Sequence, residues 1–532
     1  MIDTKALREK VLDLAIRGKL VPQDPTDEPA SVLLGRIREQ KKQMVKEGKL
    51  KAKDIKDDSI IFVGDDNLHY EKFADGSVKC IEDEIPFNIP NGWAWIRLQT
   101  VCQKEIKRGK APKYAEKSGT LVFAQKCNTK NGMINISLAQ YLDETNLHKY
   151  PIELFTQYGD IIINSTGTGT LGRVGIFEQK DDIEHLPIIP DSHITTVRVF
   201  PNIVKKYMYL FLKAYQPLFE SSGEGSTNQK ELRPDVIKSF IVAIPPFNEQ
   251  KCIVEKFEAA DEIIGQLDAY TDNIKDTISS VKSKILDLAI RGKLVSQNPD
   301  DEPASVLLER ISAQKEELIK QGKIKCNKKE SVIFKGEDNS YYRLTSDNKR
   351  NIIDIPFDIP DNWEWCNLSM IGSTNIGLTY KPADIAADGT MVLRSSNIVN
   401  GKIDLSDLVR VDSTIRENQY IQENDILICA RNGSKALVGK CAIFENVNEK
   451  ASFGAFMAVY RSRFFKYVYY FLNSEFFRNT FSNDDSKQIN QLTQDMIKNT
   501  IIPLPPFAEQ KRIVEAIETA FAQLDEITNA IS

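Results

Sequence analysis

Ten residues, LDLAIRGKLV, run from Leu12 to Val21 and return unchanged from Leu286 to Val295. DEPASVLL follows each copy, at Asp27–Leu34 and Asp301–Leu308, so this pair lies 274 positions apart. Two further elements recur. IPFNIPNGWAW (Ile85–Trp95) is matched by IPFDIPDNWEW (Ile355–Trp365), 270 positions on, and PPFNEQKCIVE (Pro245–Glu255) by PPFAEQKRIVE (Pro505–Glu515), 260 positions on. All four tryptophans lie in the second of these elements. Self-similarity at such a long period means two large homologous units, not a solenoid of small repeats.

After each PPF the pattern turns helical. Ile253, Phe257, Ala260, Ile264, Leu267, Ile274, Ile278, Val281, Ile285 and Leu288 follow in steps of four and three, with one polar break at Thr271. That is a heptad seam, and at about 1.5 Å per residue it predicts a rod of roughly 60 Å. The second copy shows Ile513, Ile517, Ala520, Leu524, Ile527 and Ile531, one residue before the sequence stops. Its continuation is found at the other end: Leu7, Val11 and Leu14 match Val281, Ile285 and Leu288. The two terminal segments add up to one copy of the central helix, cut in the middle. The expectation is an α+β protein with two long antiparallel coiled-coil helices, neighbouring termini and a pseudo-twofold axis.

Proline cannot continue a helix backwards and a carboxylate suits its first turn, so Glu249 and Glu509 after the PPF prolines mark helix starts. Glu28-Pro29 and Glu302-Pro303 begin a second helix in each half, reaching Lys46 and Lys320, with Gly48 and Gly322 as stops. The polar stretch Lys49–Glu84 reads as a connector with little regular structure. The implied divisions are 1–84 (helices and connector), 85–247 (first mixed α/β domain), 248–354 (central long helix, second helix, connector), 355–507 (second mixed α/β domain) and 508–532 (C-terminal helix pairing with the central one).

Between the tryptophan and PPF elements the halves diverge. Gly159–Phe177 and Asn424–Phe444 both read as strand, Gly-rich turn, strand. Asn131-Gly132 and Asn400-Gly401 read as two-residue hairpin turns. A short helix feeding a strand precedes each PPF. One frame with two different contents suits a chain that reads two different things.

Catalytic motifs fail on context. Gly167, Gly169 and Gly172 satisfy GxGxxG, but a dinucleotide site needs a helix next, and Arg173–Phe177 reads as a strand. Pro234-Asp235 with Glu249-Gln250-Lys251 has the spacing of a PD–ExK nuclease, yet the ExK opens a helix. Ile244 and Leu504, before the prolines, have no oxygen to hold the target amine of an amino-methyltransferase. Eight cysteines without a CxxC pair and four histidines without ligand spacing argue against a metal site. No apolar run approaches the eighteen or so residues that a membrane span needs. The chain reads as noncatalytic.

Net charge is −5. The local balance is 19 Lys and Arg against 15 Asp and Glu over Ala94–Phe247, and 15 against 17 over Ile355–Phe507. Neither half is strongly basic, but the local field decides what a surface attracts. Reading DNA needs phosphate clamps and side chains with amide, guanidinium or hydroxyl edges. The first half offers Lys104, Lys107, Arg108, Lys110, Lys113 and Tyr114; then Gln125, Lys126 and Asn128; then Ser165, Thr166, Thr168, Thr170 and Arg173; then Asn228 and Gln229. The second offers Tyr380 and Lys381; Arg394, Ser396 and Asn397; Arg431, Asn432, Ser434 and Lys435; and Lys487 and Gln488. The tryptophans read as core plugs, not as base stackers.

Two divergent domains, each entered through IP-x-x-W-x-W and left through PPF-x-EQ-x-x-IV, with long helices whose halves are permuted, resemble the DNA-specificity subunit of a type I restriction-modification system. The resemblance spans nearly the whole chain and is strongest at the PPFxEQ helix pair. It implies a noncatalytic cytoplasmic subunit in which each α/β domain is a target recognition domain for one half of a bipartite double-stranded DNA site. The helices would set the spacing and dock two modification (methyltransferase) subunits. No cofactor is expected on this chain; S-adenosylmethionine, ATP and magnesium would serve the modification subunits and the restriction (endonuclease/translocase) subunits. The competing classes are a self-contained DNA methyltransferase or nuclease, and a scaffold that binds only protein.

Overall fold

The computed structural model describes residues 3–56, 58–130, 133–179, 186–224, 230–323, 331–345, 349–482 and 491–531. Contacts divide the chain into two units, one through Tyr270 and one from Thr271 onward. The division falls inside the central helix, Phe247–Ile290.

In the first unit the N-terminal helix, Thr4–Ile16, starts at an Asp3 cap that accepts from the Ala6 N–H at 2.9 Å. Arg8 donates to Asp261 (2.8 Å) and Asp268 (2.9 Å) of the central helix, and the Thr4 side chain bonds Asp268. Thr4 lies opposite the later residue and Arg8 spans back to the earlier one, so the helices run antiparallel. In the second unit Lys282 meets Asp525 at 2.5 Å on the C-terminal helix, Phe507–Ile531, and sits 5.1 Å from the Phe521 ring centre. Leu286, Ala289 and Ile290 share a core with Ile513 and Ile517, again antiparallel.

Each unit carries an α/β head of one design. In the first, antiparallel strands Val174–Ile176, Ile161–Asn164, Ile194–Val197 and Lys107–Arg108 lie in that order. A second sheet pairs Ile188–Pro190 parallel with Leu121–Phe123, followed by Gln140–Leu142 and Tyr114–Ala115. In the second head Cys441–Ile443, Ile426–Cys429, Met457–Arg461 and Ser373–Ile376 repeat the first order. Ala451–Phe453 pairs parallel with Ile385–Leu393, as its counterpart does. Asn400-Gly401 is a two-residue turn with both φ positive, the geometry that favours these residue types; Asn131-Gly132 lies outside the described residues. The strands read from Gly159–Phe177 and Asn424–Phe444, and the short helices Pro234–Lys238 and Gln494–Asn499, form where expected.

The three repeated elements meet at one point in each unit. Gly18 takes φ +65° and packs so closely on Pro90 that an added Cβ would lie 2.4 Å from its Cγ; Gly292 does the same against Pro360 at 2.5 Å. Beyond these glycines, Gln23 donates to Glu249 (3.1 Å) and Gln297 to Glu509 (2.7 Å). The Trp93 and Trp363 indoles supply the second donor to the same carboxylates. Gln250 and Gln510 donate to the carbonyls of Pro245 and Pro505. All four tryptophans are buried, so they are core.

The connector expectation is corrected. Residues 60–80 form a three-stranded antiparallel meander, Ile60–Val63, His69–Lys72 and Val78–Cys80, and Ser331–Lys335, Tyr341–Thr345 and Arg350–Ile352 form another. Strands of three to five residues, partly exposed, are too short to give a clear alternating signal. They are held instead by tight turns, with Asn67 at φ 62° and Gly76 at φ 88°, and in the first unit by a buried ion pair from Arg97 to Glu71 at 2.6 Å.

Candidate nucleic-acid interface

The ends of several strands gather loops at one rim of each head. In the first head Asp191 N–H donates to the Phe123 carbonyl (3.0 Å), Ser165 N–H to that of His193 (2.8 Å), and Gly109 N–H to that of Ile194 (2.9 Å). Leu232 N–H closes on Ser165 at 2.9 Å. Gly109 lies so close to the Pro190 carbonyl oxygen that a Cβ would sit 2.0 Å from it, which requires glycine. The second rim is built alike: Gly454 N–H donates to Leu393 (2.9 Å), Ala430 N–H to Phe456 (2.9 Å), and Leu492 N–H to Ala430 (2.7 Å).

Several residues expected to read DNA brace this rim from inside. Asn128 is fully buried and its amide donates to Asn164 Oδ1 and the Arg173 carbonyl, both at 3.1 Å. Ser165 is buried against Thr195, 2.6 Å between hydroxyls. Asn397 is buried and donates to the Asp404 (2.9 Å) and Asp407 (2.8 Å) carbonyls. These three cannot reach a base; a tight polar turn leaves backbone groups that must find partners, and nearby short amides and hydroxyls supply them. Lys104 is half-buried; it donates to the Glu153 carbonyl at 3.2 Å, and burial pushes its ammonium down to about 8.

Three arginines are engaged with groups of their own head. Arg108 pairs with Glu231 and donates to the Leu232 carbonyl at 2.8 Å. Arg173 clamps the Asn128 (2.7 Å) and Gly169 (3.1 Å) carbonyls, bracing the glycine turn. Arg394 pairs with Asp407 at 2.8 Å. Gln125 accepts from Thr170 at 3.0 Å, and Asn432 donates to Ser395 at 3.2 Å.

The outward-facing set is smaller. Lys107, Lys126, Thr168, Lys381, Ser396, Arg431, Ser434 and Lys435 are exposed. Lys110 and Lys113 are exposed but engaged, with the Lys149 carbonyl (2.6 Å) and Asp143 (3.1 Å). Tyr114 is exposed at the strand edge, and Tyr380 is half-buried against Val392 and Val411. Thr166 is half-buried and bonds the exposed His193 at 2.7 Å. Asn228, Gln229, Lys487 and Gln488 lie outside the described residues. His193 and Phe456, both on the rim, carried no signal in the sequence: one is a lone histidine, the other an aromatic in an apolar run.

Among the described residues no cluster of His, Cys, Asp or Glu could hold a metal ion, and no helix is long and apolar enough to cross a membrane. A groove of about 1030 Å3 between the N-terminal helix, helix Lys205–Ala214 and the central helix is lined by Arg8, Tyr209 and Asp261.

The family model for the type I restriction modification DNA specificity domain matches residues 90–274 and 360–532, more than half of the chain. The chain belongs to the type I restriction-modification DNA specificity family. Within it, the type I restriction enzyme EcoAI specificity subunit of Escherichia coli is 28% identical over 97% of this chain and 88% of its own length. The EcoEI specificity subunit of Escherichia coli is 26% identical over 99% of this chain and 90% of its own. Among solved structures, the HsdS subunit from Thermoanaerobacter tengcongensis aligns with 84% of this chain and 94% of its own at 15% identity, with a TM-score of 0.39. As members of the specificity family, the two matched segments each contain one of the heads described above.

Proposed function

We propose that this chain is the noncatalytic specificity subunit of a type I restriction-modification complex, and that each head reads one half of a bipartite DNA site. The observation that carries the reading is the repetition of one frame under two unlike rims. The Trp–Glu–Gln junction and the strand order recur, while Lys126, Thr166 and His193 on one rim stand against Ser396, Arg431 and Phe456 on the other. Duplicating the scaffold while changing the contact face suits two different half-sites.

The long helices set the distance between half-sites and dock the modification subunits. The antiparallel ion pairs Arg8–Asp261 and Lys282–Asp525, each within its own unit, support the coiled-coil arrangement that this role needs. Methyl transfer from S-adenosylmethionine and ATP- and magnesium-dependent translocation and cleavage belong to the partner subunits. Exposed lysines such as Lys107, Lys126 and Lys381 supply phosphate contacts, so affinity falls as salt rises. Single-molecule sequencing of modified bases, with the gene intact and deleted, tests the reading: a two-part motif that disappears on deletion supports it, and an unchanged modification pattern contradicts it.

A further inference from the structure

The two rims share a backbone, and one facing pair of side chains occupies equivalent points of it. Ser165 N–H donates to the His193 carbonyl, as Ala430 N–H donates to that of Phe456. Leu232 N–H donates to Ser165, as Leu492 N–H does to Ala430. Thr166 bridges Glu231, as Arg431 bridges Gln491. These links make Thr166 equivalent to Arg431, and His193 to Phe456. In each head the second residue stands exposed on the turn that enters a central strand, and the first leaves the neighbouring strand beside it.

The side chains at these equivalent points differ in kind. Thr166 holds the His193 ring nitrogen at 2.7 Å. The Arg431 guanidinium lies 5.4 Å from the Phe456 ring centre, and Phe456 is 61% exposed. Arg108, Arg173 and Arg394 are committed to carboxylates and carbonyls, whereas Arg431 makes no ion pair among the described residues. A ring contact fixes a guanidinium without using its N–H groups, so the donor fork stays available. A planar two-donor fork matches the O6 and N7 acceptors of guanine in the major groove.

Resting on the half-site reading above, we propose that Thr166–His193 and Arg431–Phe456 are the base-reading pairs at equivalent points of the two heads, and that Arg431 reads a guanine. His193 reads a base edge in the other half-site. Phe456 orients the guanidinium and offers an apolar face to a neighbouring base.

The test uses the full chain with its partner subunits in a host, and reads the modified-base motif for wild type, Arg431→Lys, Phe456→Leu and His193→Ala. Arg431→Lys keeps the charge and loses the fork, so discrimination at one guanine of one half-site falls by about ten-fold or more, the size a bidentate contact supplies. Phe456→Leu relaxes the same half-site, and His193→Ala relaxes one position in the other. An unchanged motif in Arg431→Lys and His193→Ala would overturn the proposal, as would relaxation of both half-sites by either. Loss of all modification in Arg431→Lys, with Phe456→Leu leaving the motif untouched, would overturn it too. A motif that survives deletion of the whole gene would defeat the half-site reading instead.

Discussion

The Trp93 indole N–H donates to Glu249 Oε2 at 2.9 Å, and Trp363 makes the same bond to Glu509 at 3.0 Å. The partners come from elements more than a hundred residues apart, and Gln23 or Gln297 completes each junction. The three repeated stretches are therefore one structural device written in three places: it ties the start of a long helix to the entry of a head. A buried carboxylate that loses a donor costs about 1–3 kcal/mol. Trp93→Phe is expected to lower the unfolding free energy by about that much in denaturant titration. Adding Glu249→Gln removes the stranded charge, so the double variant should lose less than the two single losses combined.

The same carboxyls give a pH dependence. Burial pushes Glu249 and Glu509 up, against the Trp and Gln hydrogen bonds that hold them down. A carboxyl raised in the folded state binds its proton more readily there than in the unfolded chain. Its contribution to stability is full below the ordinary carboxylate range and is lost as pH rises through the folded value. Glu249→Gln and Glu509→Gln should flatten this part of the stability profile between mildly acidic and neutral pH. A wild-type profile that the substitutions leave unaltered would exclude the effect.

Gly18 and Gly48 separate two costs of replacing a left-handed glycine. At φ +72° with open space around it, Gly48→Ala bears only the backbone penalty, about 1–2 kcal/mol. Gly18→Ala adds a collision with Pro90 and the Trp93 ring, at 2.4 and 3.0 Å. Thermal melts should rank Gly18→Ala, and likewise Gly292→Ala, clearly below Gly48→Ala.

Much of the frame was legible because repetition doubles every local signal. The helix ends at Lys46 and Lys320, the PPF helix starts and the Asn400-Gly401 turn rest on capping and turn chemistry that acts within a few residues. The meanders at 60–80 and 331–352 were not legible, because their strands are short and owe their order to contacts such as Arg97–Glu71. The rim was half legible. Polar residues near glycine turns mark loops that the structure gathers at the rim, but sequence cannot tell Thr168, which faces out, from Asn128 and Ser165, which satisfy the turn from within. His193 and Phe456 gain meaning only once their carbonyls are seen to accept from equivalent amides.

The spacing role proposed for the central helix predicts a separable effect. Inserting one heptad between Ile253 and Leu288 keeps the apolar seam in register and lengthens the helix by about 10 Å. The modified motif should show a longer gap between unchanged half-sites. Altered half-sites with an unchanged gap would contradict this.

The most direct measurement is the modified-base motif after Lys104–Arg233, which spans the whole first rim including His193, is exchanged for the corresponding segment of another specificity subunit. One half of the motif should change to the donor's, with the other half and the gap intact. A change in both halves would contradict the assignment of one half-site to each head.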